Sequence, residues 1–195
     1  DKDIKEQGGN TERAKTFREK AEVRIWTPLR KKGLPMCIDP FQVPSANLDQ
    51  EESITAWDMV SAGFTALADY DMEKPAGKQV RTYLYEILIH MTRLGVKVND
   101  FLSLSRAVKS PDKILADHLF SDETEKPDWN DICAEYDIPD LTGMLPKSTY
   151  DELSRRLAAY SSGINQLLFS NGVPIDIDTL IKPSKDGKIP INVVY

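Results

Sequence analysis

Few side chains in this sequence are spaced for chemistry. Asp176 and Asp178 flank Ile177, so on a strand the two carboxylates would share a face and offer a cation two oxygen ligands. The same residues also read as structural, with Asp178 capping a short segment at 179–181. Gly77-Lys78 is the nearest approach to a phosphate-binding loop. Such a loop needs a glycine-rich backbone nest, a lysine for the terminal phosphates and a Ser/Thr for magnesium. Here Gln79 follows the lysine and Met72 stands five before Gly77, so the dipeptide reads as a turn of helix. No run of four apolar residues leads into Asp-Glu, the pattern that would position magnesium and water. His90 and His118 have no His, Cys or Glu at zinc-ligand spacing. Cys37 and Cys133 would act as nucleophiles only with a histidine near in space, and otherwise read as buried or inert thiols.

Two basic features remain. Glu152-Leu153-Ser154-Arg155-Arg156 sets a charged strip opposite an apolar helix face. An arginine at a subunit edge can act in trans on a neighbour's nucleotide, a role open to Arg155 or Arg156, although a solvated face accounts for both. Residues 12–32 hold eight Lys/Arg, among them Arg30, Lys31 and Lys32, against three Glu, a local charge of +5. That cluster is the one electrostatic pointer to a polyanion. The same residues also read as a solvated helix with i,i+4 pairing, the plainer account of them. Trp26, Trp57 and Trp129 read as core or interface, since no basic residues interleave with Trp57 or Trp129.

The elements that must position these groups are mainly helical. Residues 1–10 read as a disordered tail, and 11–22 as a short basic helix. Val23–Thr27 alternates as a strand. Four prolines make 28–49 a long extended connection. A helical body of about five helices then occupies 50–170. Its signals are a capping box from Asp49 to Glu52, Pro75 in a first turn, Gly95 as a stop, Asn99 as a cap, and Ser110-Pro111 as cap and first turn. A short helix is expected around Trp129–Tyr136, and a last long helix capped by Ser148 that runs to Asn171-Gly172. Lys185–Lys188 is a turn, and 191–195 a closing strand. The fold class expected is therefore mainly α, with short strands at its base that pair with each other or with another copy.

With 195 residues and a net charge of −6, the chain is large enough for one real core and has no bulk attraction for nucleic acid or anionic lipid. It lacks an 18-residue apolar run and a signal-peptide core, so no membrane partner is expected. Two unpatterned cysteines point to a cytoplasmic setting. The absence of an initial Met and the end inside an apolar strand point to a piece of something longer.

Two segments resemble a known family. Val23–Pro28 followed by Lys32–Met36 resembles the "hRIYTPGSxxGIPLS" segment of HerA-like ATPases, which belong to the HerA–FtsK group of hexameric motors. Gly172–Ile181 resembles their "GxPLDIDxLL" element, and Asp186-Gly187-Lys188 with Ile191–Tyr195 their "DGKxxVxIFYIA" strand. The order fits over residues 23–195, with the middle matching in pattern and length more than in letters. The departure is Leu29-Arg30 where the family has Gly-Ser. In that family the phosphate-binding loop precedes this region and the acidic strand follows it. The resemblance therefore implies a helical insertion region without catalytic, cofactor or metal residues of its own. ATP and magnesium belong to the parent, and the partners are the rest of that ATPase, its neighbouring subunits and, through the parent, nucleic acid. The isolated chain should be inactive. A reading of another class, a free-standing helical interaction or regulatory module, fits the same composition.

Overall fold

The computed structural model describes residues 8–27, 33–170 and 172–195. The chain is mainly helical with short strands in two small sheets, and it forms two compact units: Asp1–Asp39 with Gln166–Tyr195, and Pro40–Asn165.

The first unit is built on a parallel pair. Helix α1 (Thr11–Lys20) leads directly into β1 (Ala21–Trp26), and β4 (Ile189–Val194) lies beside β1 in parallel register from Ala21↔Ile189 to Trp26↔Val194. The two strands expected at the base thus pair with each other, each beginning two residues before the expected start. Asn10 caps α1 through its side-chain oxygen, which accepts from the amides of Glu12 and Arg13. Strand alternation puts Val23 and Ile25 on one face with Ile189, Ile191 and Val193. All five are exposed, Val23 and Ile25 at 49% each. The opposite face is polar and occupied. Trp26 Nε1 donates to Asn192 Oδ1 at 2.7 Å, and Asn192 Nδ2 donates to the Leu180 carbonyl at 2.7 Å. Arg24 reaches the Lys182 carbonyl at 3.2 Å, so the end of the short helix Ile177–Ile181 is tied to this face.

A second parallel pair joins β2 (Met36–Cys37) to β3 (Val173–Pro174). Gly172 makes this crossing possible. Its φ is +130°, and a Cβ there would lie 2.6 Å from the Pro35 carbonyl carbon.

The helical unit has its own core. Helix α2 (Gln50–Leu67) starts with the expected capping box, in which the Glu52 amide donates to Asp49 Oδ1 at 2.8 Å and the Asp49 amide to Glu52 Oε2 at 3.2 Å. Helix α3 (Pro75–Arg93) has Pro75 in its first turn and buries Val80, Tyr83, Leu84, Ile87, Leu88 and Met91. It ends at Gly95, φ +79°, where the Val96 amide reaches back to the Met91 carbonyl at 2.8 Å and satisfies an otherwise orphaned acceptor. Helix α4 (Phe101–Lys109) is capped by Asp100, one residue after the expected Asn99, because Asp100 forms a reciprocal pair with Ser103. Helices α5 (Pro111–Leu119) and α6 (Trp129–Tyr136) fall where expected.

The last helix differs from expectation. Helix α7 (Lys147–Ala158) starts after Pro146, not at Ser148. It tightens into a 3₁₀ turn at Ala159–Ser161 and breaks at Gly163, φ +65°, before α8 (Gly163–Ser170). The apolar spacing from Tyr150 to Leu168 is continuous, but Ile164 is exposed while Leu153 and Leu157 are fully buried. The backbone change at Gly163 leaves Ile164 off the core face.

Aromatic contacts knit the helical unit together. Phe41 lies 5.0 Å from Phe64 and 5.1 Å from Phe101, and Tyr83 lies 5.0 Å from Tyr150, measured between ring centroids. Tyr83 donates its hydroxyl to the Val108 carbonyl at 2.7 Å, so the ring can be buried without an orphaned polar atom.

Gly77 and Gly63 make opposite predictions. A Cβ on Gly77 would lie 2.0 Å from the Asp71 carbonyl oxygen, whereas nothing lies within 4 Å of one on Gly63. Gly77→Ala should destabilise the fold by roughly 1–3 kcal/mol through overpacking. Gly63→Ala, in mid-helix, should stabilise it by about 0.4–1 kcal/mol. Chemical denaturation of both variants checks the sign.

Candidate functional site

Arg156 is the most connected of the candidate residues. Helix α7 places it one turn after Glu152, whose Oε1 accepts from Arg156 Nη2 at 2.6 Å and from Nε at 3.1 Å. The rest of the guanidinium faces the end of α2. Nη1 donates to the carbonyls of Ala68 at 2.7 Å and Asp69 at 2.8 Å, and the charge stands 4.8 Å from the centre of the Tyr70 ring. One turn later Tyr160 donates to the Leu67 carbonyl at 2.8 Å. The last carbonyls of a helix have no partner within it. Here Arg156 on α7 and Tyr160 in the 3₁₀ turn that follows it supply donors, and a cation lies at the negative end of the α2 dipole. The hydrogen bond and charge of Glu152 raise the Arg156 pKa further, and burial raises that of Tyr70. Arg155, by contrast, is exposed and makes no hydrogen bond or ion pair among the described residues. The two adjacent arginines are therefore not equivalent: Arg156 organises the fold, and Arg155 projects to solvent.

The basic segment is only partly described, and Arg30, Lys31 and Lys32 lie outside the described residues. Within it, α1 buries no side chain, and its Arg13, Lys15, Arg18 and Lys20 make no ion pair among the described residues. Arg24 pairs with Glu22 at 2.7 Å.

Asp176 and Asp178 do not share the face of a strand. Asp178 lies in the first turn of the helix Ile177–Ile181 and Asp176 directly before it, with the Leu180 amide bonded to the Asp176 carbonyl at 3.2 Å. Asp178 therefore does not cap a segment at 179–181: the helix begins before it, and its carbonyl accepts from the Lys182 amide at 2.9 Å. No group of three His, Cys, Asp or Glu among the described residues could hold a metal ion. His90 bonds to Glu86 Oε2 at 3.1 Å, and His118 to the Leu94 carbonyl at 3.1 Å. Both cysteines are free thiols. Burial, with Asp39 beside Cys37 and Asp140 beside Cys133, raises both pKa values, the opposite of what a thiolate nucleophile needs. Trp26 and Trp57 are buried, and Trp129 donates its indole N–H to Asp140 at 2.9 Å.

Sequence reasoning missed the seam between α2 and α3. Ile54, Asp58, Met72, Glu73, Tyr85 and Glu86 line an open groove of about 770 Å³, with Asp58 ion-paired to Arg81. Ile54 on α2 is 49% exposed, and no local signal in the sequence marks where an apolar residue leaves the core for such a groove.

Two measurements follow from these contacts. Arg156→Lys should cost roughly 1–3 kcal/mol, because an ammonium cannot serve Glu152 and two carbonyls at once, whereas Arg155→Ala should stay within about 0.5 kcal/mol of the parent. Thermal melts separate the two. His90 is held below its ordinary value of 6.5, first by burial and then by Arg93, against the opposing pull of Glu86 and Asp137. The unfolded chain therefore takes up this proton first. Stability should be full above about pH 6.5 and decline as pH falls below it, and His90→Gln should remove that part of the slope in denaturation between about pH 7.5 and 5.

The comparisons with known proteins leave the assignment to these residues: no family model, curated protein or solved structure matches the chain.

Proposed function

We propose that this chain is the helical insertion region of a HerA-like P-loop ATPase, without nucleotide chemistry of its own. The observation that carries the reading is the parallel pairing of β1 with β4 around an intervening helical unit. Parallel strands occur almost only within larger sheets covered by helices on both faces. Here one face holds the Ile177–Ile181 helix, while the other exposes five aliphatic side chains in register. Among the described residues only Leu34 bridges to β1 from outside the pair, and β4 has no second neighbour. A two-stranded fragment of this kind has the form of two neighbours within a mononucleotide-binding sheet, with the helices as an excursion between them. The resemblance of the segments at 23–36 and 172–195 supports the same placement.

In this reading ATP and magnesium are bound by other parts of the parent, which translocates or remodels nucleic acid. The helical unit supplies packing between subunits and a relay of nucleotide state. The compartment is reducing and cytoplasmic, where Cys37 and Cys133 remain thiols. No described helix is long and apolar enough to cross a membrane. One observation favours a second reading, a free-standing interaction module: Pro40–Asn165 encloses a complete core of its own.

The isolated chain should show ATP hydrolysis at background and no shift in melting temperature with magnesium-ATP, and turnover above background would overturn the proposal. The coding sequence separates the two readings. A GxxxxGK[ST] motif upstream and an apolar strand ending in Asp-Glu downstream are expected for the ATPase. A start near residue 1 and a stop after residue 195 would establish the module.

A further inference from the structure

Residues 121–140 are strongly acidic, with eight Asp/Glu against one Lys. Helix α6 lies in their midst and buries a single side chain, Ile132. A helix held by so little belongs to the part of a fold that opens first. A polar contact joins its end to α3. Arg93 Nη2 donates to the carbonyls of Tyr136 at 2.5 Å and Asp137 at 3.0 Å, where Asp137 turns left-handed with φ +51°.

One turn before Arg93 stands His90. Its side chain is 12% exposed, and Nε2 lies 3.1 Å from Glu86 Oε2. Nδ1 is buried and has no hydrogen-bond partner among the described residues. In the neutral ring Nε2–H donates to Glu86 and Nδ1 is a bare acceptor. A second proton must go to Nδ1, which makes a buried donor with nothing to accept from it and adds a positive charge. The charged groups that act on the ring are Glu86 and Arg93 on α3 and Asp137 at the end of α6. Burial and the Arg93 guanidinium outweigh the two carboxylates, so the closed site takes its proton less readily than an ordinary histidine.

We propose that His90 is a proton-operated latch on α6: the neutral ring lets the end of α6 lie closed against α3, and a proton on Nδ1 opens that contact while the rest of the helical core stays folded. Opening gives Nδ1–H water as an acceptor and separates the imidazolium from a fixed guanidinium. The open form has the ordinary proton affinity of histidine and the closed form a lower one, so proton uptake favours opening. An ordinary histidine titrates at about pH 6.5, which limits the rise in open fraction to about tenfold between about pH 7.5 and 5.5. Free carboxylates titrate at about pH 4, so this window belongs to the imidazole. The proposal does not depend on the ATPase reading.

Native-state hydrogen exchange of the 195-residue chain tests it, at about pH 7.5 and 5.5 and in urea up to about 1 M, with rates corrected for the intrinsic effect of pH. The amides of Ile132–Tyr136 should exchange through an opening nearly independent of urea, and their protection should fall roughly five- to tenfold at the lower pH. His90→Gln keeps a donor towards Glu86 but cannot take the charge, and should hold that protection at its pH 7.5 level. Arg93→Gln should lower it at both pH values. The amides of Tyr83–Leu88 report that the core of each variant is folded. Equal protection of α6 at the two pH values would overturn the proposal, as would a fall that survives His90→Gln or protection unchanged by Arg93→Gln. So would α6 amides that share the urea dependence of Tyr83–Leu88, because they would then open only when the whole unit unfolds.

Discussion

The parallel register of β1 and β4 is the constraint on which the first unit depends. Antiparallel neighbours can be joined by a two-residue turn, but parallel neighbours need a crossover. Here everything from Thr27 to Lys188 lies between the two strands, including the whole helical unit. Because side chains alternate, a slip of one residue would exchange the polar and apolar faces. Trp26 and Asn192 guard against that slip: their hydrogen bond exists only when both point to the face that also carries Arg24. Asn192 then holds the Leu180 carbonyl and Arg24 that of Lys182, so the register of two strands also fixes the end of a helix.

The helical unit meets a different constraint, the carbonyls left over where α2 stops. Asp69 takes a positive φ of 58° there, and the chain turns sharply towards α3. Arg156 on α7 and Tyr160 in the 3₁₀ turn after it close that end and so link a helix near the start of the unit to one near its close. The same logic recurs in smaller form. Ser105 donates to the Ser154 carbonyl at 2.9 Å, and Tyr150 donates to the Leu141 carbonyl at 2.6 Å while accepting from the Leu145 amide at 2.9 Å. A buried polar group without a partner costs more than its hydrogen bond returns, so Ser105 and Tyr150 enter this core as paired connectors between segments, while Ser61 and Thr65 bond back to carbonyls within α2.

Much of this was legible in the residues because the signals are local. Asp49 with Glu52, Pro75 and Gly95 act within a turn or two, and the structure bears them out. The errors came where a local signal had a close competitor or a distant partner. Asn99 lost to Asp100 because Ser103 can answer only one of them. The long helix after Ser148 was broken by the left-handed backbone of Gly163, which leaves the apolar spacing undisturbed. Asp176 and Asp178 alternate like strand residues, yet the tether of the Ile177–Ile181 helix to Asn192 and Arg24 involves residues on both strands. Arg156 looked like part of a solvated strip because its partners, Ala68 and Asp69, are remote in sequence.

What the molecule leaves unsatisfied bears on its role. Several groups able to do chemistry are engaged internally: Arg156 on carbonyls, Trp129 on Asp140, His90 on Glu86, and the thiols under burial that discourages ionisation. The uncovered surface is of another kind, branched aliphatic residues on one face of a parallel pair and an open groove between α2 and α3 that leaves Ile54 half-exposed. Apolar area left in water disfavours the isolated chain by about 25 cal/mol for each Å² that a partner would cover. Among the described residues these surfaces are the ones that ask for packing, and covering them would favour association by removing apolar area from water.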